Sequence, residues 1–339
     1  MLTIKDLSKK SGFSVTTVSK ALNNYSDISP KTKKLILNLA SEMNYIPNSQ
    51  ARSLVTQKSY TIGIIFHEIS GVGLQHPLFS KILETFKSEV ENAGYDILFL
   101  AHKTGGQMGS YLQHSLRKQV EGIFVLCADF FSEELFELYN SDIPIVMIDF
   151  QQEKINCVTS NNEQSVDLAI RYLYEKGHRV IANIHGGKYT FIGGTRKKAF
   201  EDAMESLGLN INPEHVVEGE VFSKQNGYDA MMEIMKSKEQ PSAVFCASDM
   251  MAIGAIQAIH DSNKKVPEDY SVMGFDGIDI SQIVTPRLTT IKQDTVLMGK
   301  IAAKEILKMM DKNKRLNAGK TIVVDGYLLE GETVKDFKI

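Results

Sequence analysis

The first 46 residues place apolar positions at helical spacing in three short bursts, separated by turn residues. Thr3 followed by Asp6 reads as an N-terminal cap with a carboxylate in the first turn, and Ile4, Leu7 and Ser8 open a helix that stops at Ser11-Gly12. Ser14 caps a second helix, Val15 to Leu22, whose apolar side is Val18, Ala21 and Leu22. Ser29-Pro30, a cap followed by proline at the first helical position, starts a third helix running through Leu35, Leu39 and Met43. Pro47 ends it, and Asn48 caps a further piece, Ser49 to Leu54, too short to be stable by itself.

From Thr61 the period changes. The runs TIGIIF, DILFLA, GIFVLC and PIVMID are each followed by an amphipathic stretch or a short loop, the pattern of a parallel sheet covered by helices. A second series, RVIANI, SAVFCA and YSVMGF, begins after Asn161 and is separated by helical segments such as Gln164 to Lys176 and Met250 to Ser262. The expected architecture is a small all-α helix-turn-helix domain (1–46), a hinge helix and linker (47–59), and an α/β core of two parallel-sheet lobes (60–339). Lobe one is expected over about 60–160 and 294–321, including a helix from Thr295 to Met310, and lobe two over about 161–293 and 322–339. The chain then crosses between lobes near Ser160, around Gln293 and near Thr321.

Charge sharpens this division. Residues 1–60 hold eight lysines and Arg52 against Asp6, Asp27 and Glu42, a net charge of +6, while the remainder carries 29 basic and 38 acidic residues, a net charge of −9. A basic head on an acidic body suits a module that neutralises phosphates joined to a sensing or enzymatic domain. Thr16, Thr17, Ser19 and Lys20, on the polar side of the second helix, are short enough to reach base edges and phosphates in a major groove. Hydrophobic residues make up 43% and no apolar run is long enough for a membrane helix, so no membrane partner is expected and the cytoplasm is the expected compartment. Cys127, Cys157 and Cys246 are too scattered for a disulfide framework or a metal knuckle and are expected to be buried and reduced; no metal and no cofactor is expected.

The stretches IKDLSKKSGFSVTTVSKALN, NYIPNSQARSL and TIGII, in that order, resemble the LacI/GalR family of bacterial regulators, and the resemblance runs over nearly the whole chain. It implies a sequence-specific DNA-binding repressor with a periplasmic-binding-protein-like core, working as a homodimer on a pseudo-palindromic double-stranded operator. It further implies that Val15, Thr16 and Lys20 read bases, and that Leu54 is the hinge leucine that wedges into the minor groove. The DNA-binding surface is expected to include Thr3, Ser14, Thr17, Ser19, Asn23, Ser29, Asn48 and Ala51 as well. Packing roles compete for two of these: Val15 in the head and Leu54 in the core domain.

In open parallel sheets ligands bind beyond the carboxyl ends of the strands, and Asp149, Asp249, Asp276 and Gln293 all follow apolar runs there. These match effector-contacting positions of the family core. Arg196 matches an arginine that grips hydroxyls, Phe222 an aromatic that stacks on the effector, and Asn162 an asparagine after the lobe crossing; Ala199 and Ser165 stand where the family usually has glycine. Carboxylates, Arg, Gln and Asn converging on vicinal hydroxyls, with Phe79 or Phe222 over a ring face, point to a small-molecule effector, a sugar. For Asp249 the competing role is a helix cap. The stretch His67 to Pro77 is longer than the family's usual loop, lines the cleft mouth by resemblance, and is expected to tune effector size.

Three other readings stand beside this one. A carbohydrate-acting enzyme is opposed by the lack of a nucleophile elbow, a zinc-protease motif, a Walker loop or a complete dinucleotide fingerprint, so no catalytic residue is expected. A sugar-transport protein is opposed by the basic head. A regulator of the same family that answers to a purine, or to a phosphocarrier protein, uses the same residues differently and stays open, as does the choice between induction and corepression.

Overall fold

The computed structural model describes residues 2–46, 58–68, 71–187, 191–311 and 319–337. The chain divides into two compact units, 1–59 and 60–339. The first contains α1 (Ile4–Ser11), α2 (Val15–Leu22) and α3 (Pro30–Glu42). Local chemistry sets their starts. The Thr3 hydroxyl and amide both donate to Asp6 Oδ2, at 2.7 and 2.9 Å, while Ser14 and Ser29 accept from the amides of Thr17 and Thr32 at 3.1 Å. Gly12, at φ 72°, takes the left-handed turn that closes α1.

Leu7, Val18, Ala21, Ile36 and Ala40 form the buried core of this unit. The phase of α3 therefore differs from the expectation: Leu35 is 48% exposed, and Leu39 and Met43 only flank the core. A Leu-Ile-Leu run offers two adjacent faces at helical spacing, and packing against α1 and α2 selects the one carrying Ile36. The expected hinge helix, with Asn48, Ala51 and Leu54, lies outside the described residues.

The second unit begins with β1 (Thr61–Phe66), α4 (Pro77–Asn92), β2 (Asp96–Phe99), a hairpin of β3 (Lys103–Thr104) and β4 (Gln107–Met108), α5 (Tyr111–Lys118), β5 (Gly122–Cys127), α6 (Glu133–Tyr139), β6 (Ile145–Ile148) and β7 (Asn156–Ser160). There follow α7 (Asn162–Glu175), β8 (Ile181–Gly186), α8 (Phe191–Ser206), β9 (Val216–Gly219), α9 (Lys224–Ile234), β10 (Ala243–Cys246), α10 (Asp249–Asp261), β11 (Ser271–Asp276) and β12 (Thr289–Lys292). Last come α11 (Thr295–Met310), β13 (Thr321–Val324) and β14 (Tyr327–Leu329). Two six-stranded sheets result, ordered β13-β7-β6-β5-β1-β2 and β14-β12-β11-β10-β8-β9, parallel throughout except for β14, which runs antiparallel to β12.

The fully apolar strands are buried on both faces, as parallel strands between helical layers must be. Met298, Ala302 and Ile306 of α11 pack with Ile82 and Phe86 of α4, so this late helix belongs to the first lobe. Strand β13 pairs with β7 in the first sheet, which moves the third crossing to Asp325-Gly326, beyond the expected Thr321. The crossings are tied to each other. Ser160 donates a hydrogen bond to Gln293 Oε1, and Asn161 Nδ2 donates to Asp325 Oδ1 at 2.8 Å.

In the second lobe α9 and α10 touch backbone to backbone. A methyl on Gly254 would lie 1.9 Å from the Lys224 carbonyl oxygen, and one on Gly227 2.1 Å from that of Met251, so only glycine fits at either position. Among the described residues no helix is long and apolar enough to cross a membrane.

Candidate functional site

In the head unit, α2 carries Val15, 40% exposed, and Thr16 on its open side. Val15 thus takes no part in the core packing that competed for it. Thr3, Ser14 and Ser29 are exposed at helix starts; Thr17, Ser19, Lys20 and Asn23 are half-buried. The Lys20 ammonium is paired with Asp27, whose carboxyl it holds below the usual range. Asn23 Nδ2 donates to the Ser19 carbonyl at 2.9 Å, so its amide is committed to ending α2.

In the core unit a cavity of about 510 Å³ opens at the carboxyl ends of both sheets. Its floor is polar. Asp149 follows β6 and Asp276 ends β11, both at positive φ (58° and 116°), a strained backbone that non-glycine residues seldom adopt and that is typical of functional sites. Arg196, from the first half of α8, reaches between them. Its Nε donates to Asn162 Oδ1 at 2.8 Å, its Nη1 to the Ala247 carbonyl at 2.6 Å and to Asp276 Oδ1 at 3.4 Å. The guanidinium carbon lies 3.8 Å from the Phe275 ring centre and 5.8 Å from that of Phe222.

Burial governs the charges. It pushes the Asp276 carboxyl up to about 6, with Arg196 pulling the other way. Asp149 is raised by the same cause, again opposed by Arg196, and by the Thr159 hydroxyl, which donates to Asp149 Oδ1 at 2.8 Å. One buried guanidinium therefore balances two carboxyls that are each costly to ionise.

Five of the eight expected effector residues line the cavity: Phe79, Asp149, Arg196, Phe222 and Asp276. Asn162, Asp249 and Gln293 do not, and each is occupied behind it. Asn162 holds Arg196. Gln293 Nε2 donates to Asp276 Oδ1 at 2.7 Å, linking the pocket carboxylate to the crossing at Ser160. Asp249 is wholly buried at the first turn of α10, where it accepts from the Ile278 amide at 2.8 Å and from the Thr290 hydroxyl, while Ser248 supplies the cap. Each of these three follows a strand, as Asp149 does, but its side chain bonds to the protein.

Sequence reasoning missed most of the apolar lining. Phe130, Phe131 and Phe191 join Phe79 and Phe222, and among the described residues fifteen of the twenty-three that line the cavity are apolar. Phe130 stacks on Phe150 at 4.6 Å, and Phe131 and Phe191 meet the same ring edge-on at 5.3 and 5.5 Å. The Phe130-Phe131 doublet just after GIFVLC was the legible signal. Cys127, expected in the core, is instead half-buried at the cavity wall. Among the described residues no cluster of His, Cys, Asp and Glu is arranged to hold a metal.

Residues 3–48 match the family described as bacterial regulatory proteins, lacI family, and residues 170–334 match a periplasmic binding protein-like domain. The HTH-type transcriptional repressor PurR of Proteus mirabilis (strain HI4320) is 32% identical over 342 residues, covering 99% of this chain and 98% of that protein. The protein of the same name from Pasteurella multocida (strain Pm70) is 35% identical over 304 residues, covering 88% of this chain and 89% of its own length. The crystal structure of the lac repressor dimer bound to operator and the anti-inducer ONPF superposes with a TM-score of 0.84 at 25% identity, over 98% of this chain and 99% of that one. A helix-turn-helix head, a two-sheet core and full-length similarity all agree: the chain belongs to the LacI family of bacterial regulatory proteins, and it is a regulator and not an enzyme.

Proposed function

We propose that this chain is a transcriptional repressor that acts as a homodimer on a pseudo-palindromic operator, with α2 in the major groove and its DNA affinity set by a purine in the core cavity. The observation that carries the choice of ligand is the lining: five phenylalanines surround a short polar floor. A sugar needs hydrogen-bond partners around its whole rim. A purine presents two flat apolar faces for aromatic rings and one polar edge. Arg196 and the carboxylates of Asp149 and Asp276 supply donors and acceptors for such an edge, in the way guanidinium and carboxylate groups meet base edges elsewhere. The sugar expected from these polar residues fits less well, because Asn162, Asp249 and Gln293 face away from the cavity. Similarity to repressors named PurR supports the same choice.

The test is thermal stabilisation of the full chain by a panel of purines, monosaccharides, disaccharides and sugar phosphates, since a ligand of the native state raises the midpoint as its concentration exceeds Kd. Stabilisation by purines with no response to sugars is expected, together with a change in operator retention on a gel when the same purine is added. A response confined to sugars overturns the reading of the ligand and leaves that of the DNA-binding head intact.

A further inference from the structure

Besides the segments that cross between them, the lobes are joined where no chain crosses. Ile278 lies between β11 and β12 of the second sheet, yet it is 3% exposed and belongs to the buried apolar cluster of the first lobe. Among the described residues every other buried member of that cluster comes from lobe one, Ile62 of β1, Ile82 of α4, Leu126 of β5 and Met298 of α11 included. Met250, in the first turn of α10, packs against the same cluster from lobe two.

Lobe two holds Ile278 from behind. Gly277, at φ 66°, reverses the chain after Asp276, and a methyl there would lie 2.6 Å from Lys292 Cα of β12. The Ile278 amide donates to Asp249 Oδ2 at 2.8 Å, and its carbonyl accepts from the amide and the hydroxyl of Ser281 at 3.0 and 2.7 Å. With both backbone groups bonded inside lobe two, the side chain is a rigid projection of that lobe. Next to it, Asp279 pairs with Lys81 of α4, a second bond from lobe to lobe. That pair is at the surface, its side chains 37% and 73% exposed, so the burial of Ile278 and Met250 is the larger contribution.

We propose that Ile278, with Met250 and the Lys81–Asp279 pair, is a latch that docks lobe two on lobe one and so limits access to the cavity. Ile278 and Met250 lie on the cavity border, together with Leu78 and Phe79 of α4. Parting the lobes there returns an isoleucine side chain and the apolar wall it covers to water, which sets a cost on opening. The docked fraction then scales the affinity of any ligand that needs both lobes. The latch acts whatever ligand the cavity takes, so it stands or falls apart from the purine reading.

Cys127 reports on it directly. It ends β5 at the cavity wall and is half-buried, whereas Cys157 of β7 and Cys246 of β10 are wholly buried. Labelling of the full chain with N-ethylmaleimide, followed site by site by mass spectrometry, therefore separates opening of the cleft from unfolding. Ile278→Ala is expected to raise the Cys127 rate about fivefold or more, through the apolar area it removes. Ile278→Asn, which sets an amide against the same apolar wall and leaves less room, should raise it further. Asp279→Lys should raise it about two- to fivefold, and adding Lys81→Glu to that variant should restore the parental rate. A parental rate in Ile278→Asn overturns the latch. So does a faster reaction of Ile278→Ala than of Ile278→Asn, which puts the effect in local space, and so does equal acceleration at Cys157 and Cys246, which means unfolding. An unchanged rate in Asp279→Lys overturns the part given to the ion pair.

Discussion

Arg196 Nη1 stands 3.4 Å from Asp276 Oδ1, both side chains almost fully removed from solvent, and the same oxygen takes a 2.7 Å hydrogen bond from Gln293. Ligand floor and lobe crossing thus meet at one carboxylate. Through Gln293 and Ser160, Asp276 joins the cavity floor to the segments that cross between the lobes.

Removing the cation leaves Asp276 and Asp149 buried without it. Arg196→Ala should cost about 3 to 5 kcal/mol in stability, the usual penalty for stripping one member from a buried ion pair. Denaturant unfolding of the ligand-free chain measures the loss, and retention of parental stability would show that the guanidinium is not needed to hold the floor.

A carboxyl whose pKa is higher folded than unfolded binds its proton more tightly in the native state. For Asp276, raised from 3.8 to about 6, the stabilising contribution is full below about pH 4 and declines as pH climbs through about 6, by up to about 3 kcal/mol. Thermal midpoints of the parent should therefore fall relative to those of Asp276→Asn between pH 4 and pH 6.5. Parallel curves would remove this carboxyl from the pH response.

Asp249 acts on the structure and not on the ligand. Asp249→Ala leaves the buried Ile278 amide and Thr290 hydroxyl without their acceptor, at about 1 to 3 kcal/mol each. Asp249→Asn keeps an acceptor oxygen and avoids a costly buried charge, so it should be much milder. Chemical denaturation of the two variants separates them, and equal losses would mean that the charge itself matters.

At the proposed α2 interface, Asp27 competes with a DNA phosphate for the Lys20 ammonium. Asp27→Asn should strengthen operator binding at low salt, Lys20→Ala should weaken it and reduce the slope of log K against log salt by about 0.9, and Asp27→Asn in the Lys20→Ala background should add little. Fluorescence anisotropy across a salt series provides the slopes. An additive effect of Asp27→Asn on the alanine background places its influence elsewhere on the head.

The elements were legible because their signals are local: Thr3 with Asp6, Ser14 and Ser29 as caps, and unbroken apolar runs for buried parallel strands. What escaped depended on neighbours. Leu35 and Ile36 are equivalent in composition and are sorted only by what α3 packs against. Strand β7, Asn156–Ser160, is half polar and was hidden by its lack of an apolar run, yet the buried Asn156 side chain finds a partner in Glu305. Strand ends marked where a cavity opens, but whether Asp249, Asn162 or Gln293 faced ligand or protein was decided by side-chain direction, which no spacing encodes. The phenylalanines from loops came last because loops carry no period.

The late strands β13 and β14 have a consequence for synthesis. The first sheet gains its outer strand only at Thr321–Val324 and the second only at Tyr327–Leu329, so neither lobe is a contiguous stretch that can finish folding while the rest of the chain is still being made. On the ribosome both sheets must wait, each with an open edge, until β13 and β14 emerge. A stop codon just before Thr321 would leave two unfinished sheets, whereas loss of the whole head unit would spare the core, and a nascent chain stalled there is the form of this regulator most exposed to edge-to-edge aggregation.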